Sequence, residues 1–471
     1  LPPRAPGYLP VIGHLLQLAK PMAIQNIFLE WTRQVGPIFT CHFGLQTWII
    51  LNSAKVVREL IVERGRIYSS RNLPSVLVDD LFEGIERGGG FAFYPYGEHW
   101  RLLRSVAHKG LIKSKINSYQ DILSERRDHL LSQFHEVSKT NKIQDLSHIF
   151  EHYTMTTILY IAYGNMFSFK IGDPVLHEAF FITERAANSI SPVDQIRDFF
   201  PILKSFWPVD RSKYIGLRDE INAFYGKLLK QFKQALEDGC APDCFVKEVI
   251  ESNPELTEVQ INHLVAIFIG AGSDTTAATL EWIVAYLANH PDIQDEAFRE
   301  IQECVGTKKM PGIEHESQLS LVQCIIMETL RLRPPAPISI PHSTSQSDVY
   351  NSWHFNENTT IVINIMAVNQ DPERFPNPTA FQPKRHLDFI KENQKATPKL
   401  EQLPHISFST GRRVCVGLHL AERNLYMAVS GLLAFFKIEK EEAVIDVDTP
   451  KSILSATLLP TPYKVKLVPR Y

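Results

Sequence analysis

At 471 residues, 44% hydrophobic and 21% charged, the chain has the make-up of an ordinary globular protein with material for a large core, which excludes a disordered or fibrous one. A net charge of −3 excludes general affinity for nucleic acid, and no run approaches the ~20 apolar residues that cross a bilayer. Six scattered cysteines fit a reducing compartment rather than a secreted disulfide framework, and Cys240 and Cys244 lack the second ligand pair of a zinc site.

The proline-rich start, residues 1–13, reads as an extended arm. Residues 39–43 and 47–51 flank Gly44 and predict a hairpin. Ser53 is placed to cap a helix through Leu60. Residues 72–95, with Gly84, Gly88, Gly89, Gly90 and Pro95, predict irregular backbone. That stretch is unusually apolar for a loop, with Leu73, Leu77, Leu81, Phe82, Phe91 and Phe93, which points to burial or a ligand. Trp100 and Arg104 lie four apart and share a helix face. Residues 105–236 read as mostly helical, broken near Gly164, Gly172, Pro174, Pro192, Pro201 and Pro208. The aromatic residues Phe199, Phe200, Phe206 and Trp207 suit a core or a pocket lid equally.

Thr257-Glu258-Val259-Gln260 is a capping-box pattern. The helix it starts runs to His290-Pro291, about 33 residues or roughly 50 Å. Such a helix crosses a whole domain and argues for one unit, 1–471, over the three that length suggests. Its middle, Gly270-Ala271-Gly272-Ser273-Asp274-Thr275-Thr276, consists of poor helix formers, a concession expected at functional sites. Ala271 and Gly272 leave room beside the helix for a small bound molecule. Thr275 can bond back to its helix and hold a water, with Asp274 an acid beside it. A close helix crossing explains the glycines but not the Asp-Thr-Thr run.

Glu328 and Arg331 form an i, i+3 pair on a later helix, weak if exposed and needing more partners if buried. Residues 337–342 and 360–366 read as strands, with His342 ending the first, and 453–468 as a hairpin. Between these last segments lies Phe408-Ser409-Thr410-Gly411-Arg412-Arg413-Val414-Cys415-Val416-Gly417, followed by a helix-periodic segment, 418–436. Cys415 thus precedes a helix N-terminus, where unpaired N–H groups and the dipole favour an anion. With Arg412 and Arg413 beside it, its thiol pKa is expected to fall, and a thiolate binds a soft metal. Gly411 and Gly417 let the backbone turn and pass close to a flat ligand.

Phe408, Gly411, Arg413, Cys415 and Gly417 reproduce F-x-x-G-x-R-x-C-x-G, and the chain resembles the cytochrome P450 family, in particular eukaryotic microsomal members, fungal ones included. Ser409 stands where that family often has glycine. The likeness runs the length of the chain. It takes in W-x-x-x-R at Trp100 and Arg104, the glycine-rich Asp-Thr-Thr run, E-x-x-R at Glu328 and Arg331, and F-x-P-x-R ending at Arg385.

The resemblance implies a mainly α fold with a smaller β portion, and haem b between the central helix and the cysteine loop. Cys415 would be the axial metal ligand. Arg413, Trp100, Arg104 and His342 would reach the propionates, and His342 as a mere strand-end residue is an equal reading. Phe408 would pack beside the sulfur, with Gly411, Gly417 and Ala271 near the ring. Asp274 and Thr275 would deliver protons. Glu328, Arg331 and Arg385 would form a structural triad, leaving Arg374 in Pro372-Glu373-Arg374-Phe375 a decoy. Leu77, Leu81, Phe82, Ile267, Ile338 and Leu458 are the pocket candidates, and with the Phe180-Phe181 and Phe199-Phe200 pairs they offer almost only apolar surface.

The implied activity is a monooxygenase that inserts one atom of O2 into a C–H bond of a lipophilic substrate. Electrons would come from a separate NADPH-dependent flavoprotein reductase, docking near Arg101, Lys109, Lys113, Lys115 and Arg412, a set that also suits a plain solvated face. The implied setting is a monomer on the cytosolic face of the endoplasmic reticulum membrane, held by an anchor that would precede the hinge 1–13. An apolar pocket without a basic anchor favours a rigid steroid or terpenoid over a fatty acid. Fatty-acid hydroxylation, a haem-thiolate isomerase or dehydratase, and a non-catalytic haem sensor stand as alternatives. The isomerase would have no need of Asp274-Thr275.

Overall fold

One helix, Glu258–Asn289, runs through the middle of the protein. The computed structural model describes all residues but 19, 21, 168, 171, 190–198, 201–209, 393–397, 442–443 and 453–456. The capping box forms as expected: the Thr257 hydroxyl accepts the Gln260 N–H at 3.2 Å, and Gln260 Oε1 accepts the Thr257 N–H at 2.9 Å. His290 leaves helical geometry at φ −128°, and Pro291 opens the next helix, Pro291–Val305. The first half of the central helix belongs to an apolar cluster with residues 76–82 and the helices Ser147–Tyr163 and Arg211–Glu237. Its second half belongs to another, with the helices Ser320–Leu332 and Leu418–Phe435. Both cores therefore share this element.

Helices dominate the rest, among them Glu98–Lys109, Gln120–Lys139 and Pro174–Ser189. The predicted helical run also breaks at 140–146, where Asn141 turns left-handed at φ +51°. Ser147–Tyr163, apolar nearly all round, lies buried along the central helix. The helix capped by Ser53 covers Ala54–Val57 and continues as a wider π turn, Arg58–Glu63. A second π turn, Val76–Leu81, and a short helix, Gly84–Arg87, replace irregular backbone in the apolar loop.

The hairpin of β1 (Ile38–Phe43) and β2 (Gln46–Leu51) forms, with Gly44 at φ +56°. β3 is only His342–Ser343. The expected strand from residue 337 fails because Pro337 and Pro341 have no N–H to pair. β4 (Asp348–Tyr350) and β5 (Trp353–Phe355) form a separate pair, and β6 (Thr360–Ile363) completes the main sheet in the order β1-β2-β6-β3. β6 stops where the Asn364 side chain caps the helix Ile365–Asn369, so the strand expected through residue 366 is cut short. The C-terminal hairpin also differs. β8 (Val465–Pro469) pairs with β7 (Phe436–Lys440), not with the preceding segment. Part of that predicted hairpin, 453–456, lies outside the described residues, as do Phe206 and Trp207. Phe199 is core, against Phe43 and Trp48.

Glu328 and Arg331 are fully buried, and Arg331 donates two 2.8 Å bonds to the carboxylate. Gln382 N–H (2.9 Å) and His386 Nε2 (2.7 Å) also donate to it, and Arg385 Nε stands 3.1 Å away. Arg331 Nη1 reaches the carbonyls of Asn369 and Pro378, so the group ties helix Ser320–Leu332 to the segment 369–386. Burial would raise the Glu328 pKa, but Arg331 and His386 bring it down to about 2. Burial keeps His386 below its ordinary value, so it donates as a neutral ring. Arg374 makes no contact with Glu328, as expected of a decoy, yet it is no bystander. It donates to the carbonyls of Val368 (3.0 Å) and Leu403 (2.6 Å).

Candidate active site

The cysteine loop closes on itself: Cys415 N–H donates to the Phe408 carbonyl at 2.8 Å. Gly411 takes φ +66°, and a Cβ there would lie 2.7 Å from the Ile61 carbonyl oxygen, so glycine is required. Ser409 also turns left-handed, at φ +58°, with its buried hydroxyl unpartnered. Ser409→Gly is therefore expected to stabilise the fold by about 1 kcal/mol, seen as a higher denaturant midpoint at unchanged slope.

Cys415 itself is exposed, although protein surrounds it on most sides. Its pKa corrects the expectation. Burial raises it, outweighing the Gly417 N–H, Arg104 and the Leu418 N–H, which lower it. Arg413 does not help, because it points to the carbonyls of Ser69 (2.9 Å) and Tyr94 (2.7 Å). Arg412 is exposed and bonds the Tyr96 hydroxyl at 2.7 Å. A metal must therefore displace the thiol proton.

Arg413 stacks over the Trp100 ring at 4.2 Å, and Arg104 donates to the Val414 carbonyl. Arg71, which the sequence did not single out, lies beside them. It is buried, with Nη1 on the carbonyls of Ile340 and Pro341 and Nε unpartnered. Burial lowers the Arg71 pKa to about 9, and burial with Arg71 and Arg104 lowers that of Arg413 to about 8. His342 donates Nδ1–H to the Tyr68 carbonyl at 2.8 Å. Burial and then Arg71 hold it neutral, with a pKa of about 3, so it would donate from Nε2 only after taking up a proton. Among the described residues none of these three arginines has a carboxylate partner. Buried cations in this arrangement call for an anion.

On the central helix the hydroxyls of Thr275, Thr276 and Thr279 donate to the carbonyls of Ala271 (2.7 Å), Gly272 (2.9 Å) and Thr275 (2.8 Å). Ala271 is exposed although the helix around it is largely buried. Gly272 admits Ile158, which a Cβ would meet at 3.0 Å. Burial raises the Asp274 pKa to about 6, and Glu151 and Glu184 push the same way. Val416 and Leu420, just after the cysteine, join the apolar cluster that holds Ala266 and Ile269 of this helix.

A model of the cytochrome P450 family matches residues 2–467. The chain belongs to the cytochrome P450 family. Cytochrome P450 monooxygenase 231 of Postia placenta is 30% identical over 93% of this chain and 82% of that protein. Cytochrome P450 monooxygenase verL of Clonostachys rogersoniana is 28% identical over 98% and 86%. A zebra fish cytochrome P450 solved with progesterone shares the fold at a TM-score of 0.80 and 24% identity, over 94% of this chain and 99% of its own. The expected mainly helical P450 fold with a small β portion is thereby met, and the enzyme is an oxidoreductase of the monooxygenase kind.

Cytochromes P450 use haem with an axial cysteine thiolate. The residues here fit that group. The cluster of Arg71, Arg104 and Arg413 suits a group that carries negative charge, and Cys415 and Ala271 are both exposed beside elements that share one apolar cluster. Phe408 is half-buried beside His405, at 5.8 Å between rings, and Gly417 stands by the sulfur, where a Cβ would lie 3.9 Å away.

The pocket candidates scatter. Leu77, Leu81, Phe82 and Ile267 share one apolar cluster with Phe91 and Phe93. Ile338 packs with Phe199 and Phe200 against the N-terminal cluster. Leu458 lies in the second core, where its carbonyl accepts the Trp282 N–H at 2.8 Å. It borders a cavity of about 230 Å3 with Gln25, Arg333 and Gln370, which includes no residue of the cysteine loop.

Proposed function

We propose that this cytochrome P450 oxidises a neutral, rigid lipophile such as a steroid or terpenoid, with Cys415 as the metal ligand. The observation that carries the site is the cluster of the buried Arg71 and Arg413 with the half-buried Arg104, without a carboxylate, Arg104 lying beside an accessible cysteine. Arg413, Arg104 and Trp100 would hold the propionates, with Arg71 beside them, and His342 would join them only if a propionate's charge brings it a second proton. Haem with an axial thiolate would supply the activation of O2 and the insertion of one of its atoms into a C–H bond, the other leaving as water at the cost of two electrons and two protons. The chain's own work is positioning and proton supply. Thr275 directs its hydroxyl hydrogen at the Ala271 carbonyl, which leaves the oxygen lone pairs free to hold a water. Asp274, poised near neutral pH, takes a proton from solvent and passes it to that water.

Thr275→Ala is expected to keep haem and substrate binding while peroxide release rises relative to product at unchanged oxygen uptake. Unchanged coupling would assign proton supply to Asp274 or water alone. Electrons would arrive from an NADPH-dependent flavoprotein reductase at the exposed Arg101, Lys109, Lys113 and Arg412. Lys115 is already paired with Glu248 at 2.6 Å. Among the described residues no helix is long and apolar enough to cross a membrane. The exposed Tyr8, Leu9, Val11 and Leu16, with Leu45 of the β1–β2 turn, support contact with the endoplasmic reticulum surface. The deciding experiment supplies reductase, NADPH and O2 and follows product. Steroids and fatty acids are compared by their Soret shifts, and shifts from fatty acids alone would overturn the substrate class.

A further inference from the structure

His263 lies on the central helix, fully buried, one turn before Ile267 and two turns before Ala271. The Gly89 N–H donates to its Nδ1 at 3.3 Å, so Nδ1 accepts and Nε2 carries the hydrogen. Nε2 is buried and has no partner. Phe82 stands edge-on to the imidazole at 5.6 Å and stacks on Phe93 at 5.0 Å. These rings belong to the apolar cluster of Leu77, Leu81 and Ile267, so the lone donor lies against a largely apolar wall, with the charges of Glu83 and Arg218 acting on it from farther off. Buried donors are almost always paired, and this one is left for something that the chain does not supply.

We propose that His263 Nε2–H is the polar anchor of the substrate pocket. The substrate is then a neutral lipophile with an acceptor oxygen, a ketone, ester or ether, about 12 Å from the carbon that is oxidised, the axial rise from residue 263 to residue 271. The inference rests on the monooxygenase reading of the pocket. Burial lowers the His263 pKa to about 4, with Glu83 and Arg218 acting in opposite directions. The imidazole is therefore neutral at working pH and offers a carboxylate no charge.

The test uses the haem-loaded protein with three probes: androstanone, the parent hydrocarbon androstane, and an androstane carboxylic acid. Affinity is read by calorimetry and by the Soret shift. The ketone is expected to bind about tenfold more tightly than the hydrocarbon. His263→Phe brings that ratio to about one without weakening the hydrocarbon. His263→Gln, which keeps an acceptor for Gly89 and a donor beyond it, restores most of it. A ratio near one in the unaltered protein overturns the anchor even if the variants fail to fold. Normal Soret shifts with the ratio intact in His263→Phe also overturn it, and leave the pocket reading standing. Preference for the acid overturns the neutral substrate class. No heat or shift with any probe overturns the pocket reading and the anchor together.

Discussion

Cys415→Ala is expected to abolish the thiolate-type Soret band of the reduced carbonyl complex while far-ultraviolet circular dichroism retains its helical signal. No other described cysteine stands in such a setting. Cys41, Cys244 and Cys324 are buried among apolar residues with no access for a ligand, Cys304 packs at the edge of the second core, and the exposed Cys240 has no arginine cluster beside it. Survival of the band would remove the assignment on which every other site role depends. The same thiol gives a pH dependence. Because the protein alone raises the Cys415 pKa, metal binding must release its proton, and haem affinity is expected to weaken as pH falls.

Arg331→Ala is expected to cost about 3–5 kcal/mol and to lower the yield of folded, haem-loaded protein, because it removes both 2.8 Å charged bonds and leaves the buried Glu328 carboxylate with a neutral histidine and one nitrogen of Arg385. Arg385→Ala should cost less, since that side chain is partly exposed and only one of its nitrogens nears Glu328. Arg374→Ala should match it, through the backbone carbonyls that Arg374 ties together. Denaturant titration of the three variants checks the order. Glu328 also sets an acid limit. Its folded pKa of about 2 lies below the ordinary 4.5, so its contribution is complete above about pH 4.5 and is lost as pH falls toward 2. That contribution is about 3 kcal/mol.

The parts of this site that could be read in the sequence were those with local spacing. The cap at Thr257, the helix behind it and the turn at Gly411 depend on residues a few positions apart, and each formed as expected, while Gly417 takes an ordinary φ of −86°. Long-range partners left no such trace. Arg71 sits in an unremarkable Ser-Ser-Arg-Asn stretch, and only the fold brings it to Arg413. His386 follows Arg385 by one residue, yet its bond to Glu328 spans 58 positions. The Cys415 pKa was misjudged for a related reason. The helix end and the arginines were visible, but the amount of protein around the thiol and the direction of Arg413 were not. Strand ends failed where proline or a capping asparagine overrode an apolar pattern.

The unbalanced guanidiniums also bear on how the enzyme matures and is cleared. Arg71 and Arg104 both oppose the charge on Arg413, so, if propionates are what balances them, the walls that carry these side chains would resist closing before haem is loaded. Newly made chains should then stay locally loose and open to proteases until haem is loaded, and millimolar polyphosphate should protect them where simple chloride does not. The cell would thus judge completion of the enzyme by electrostatic repulsion, without a dedicated sensor.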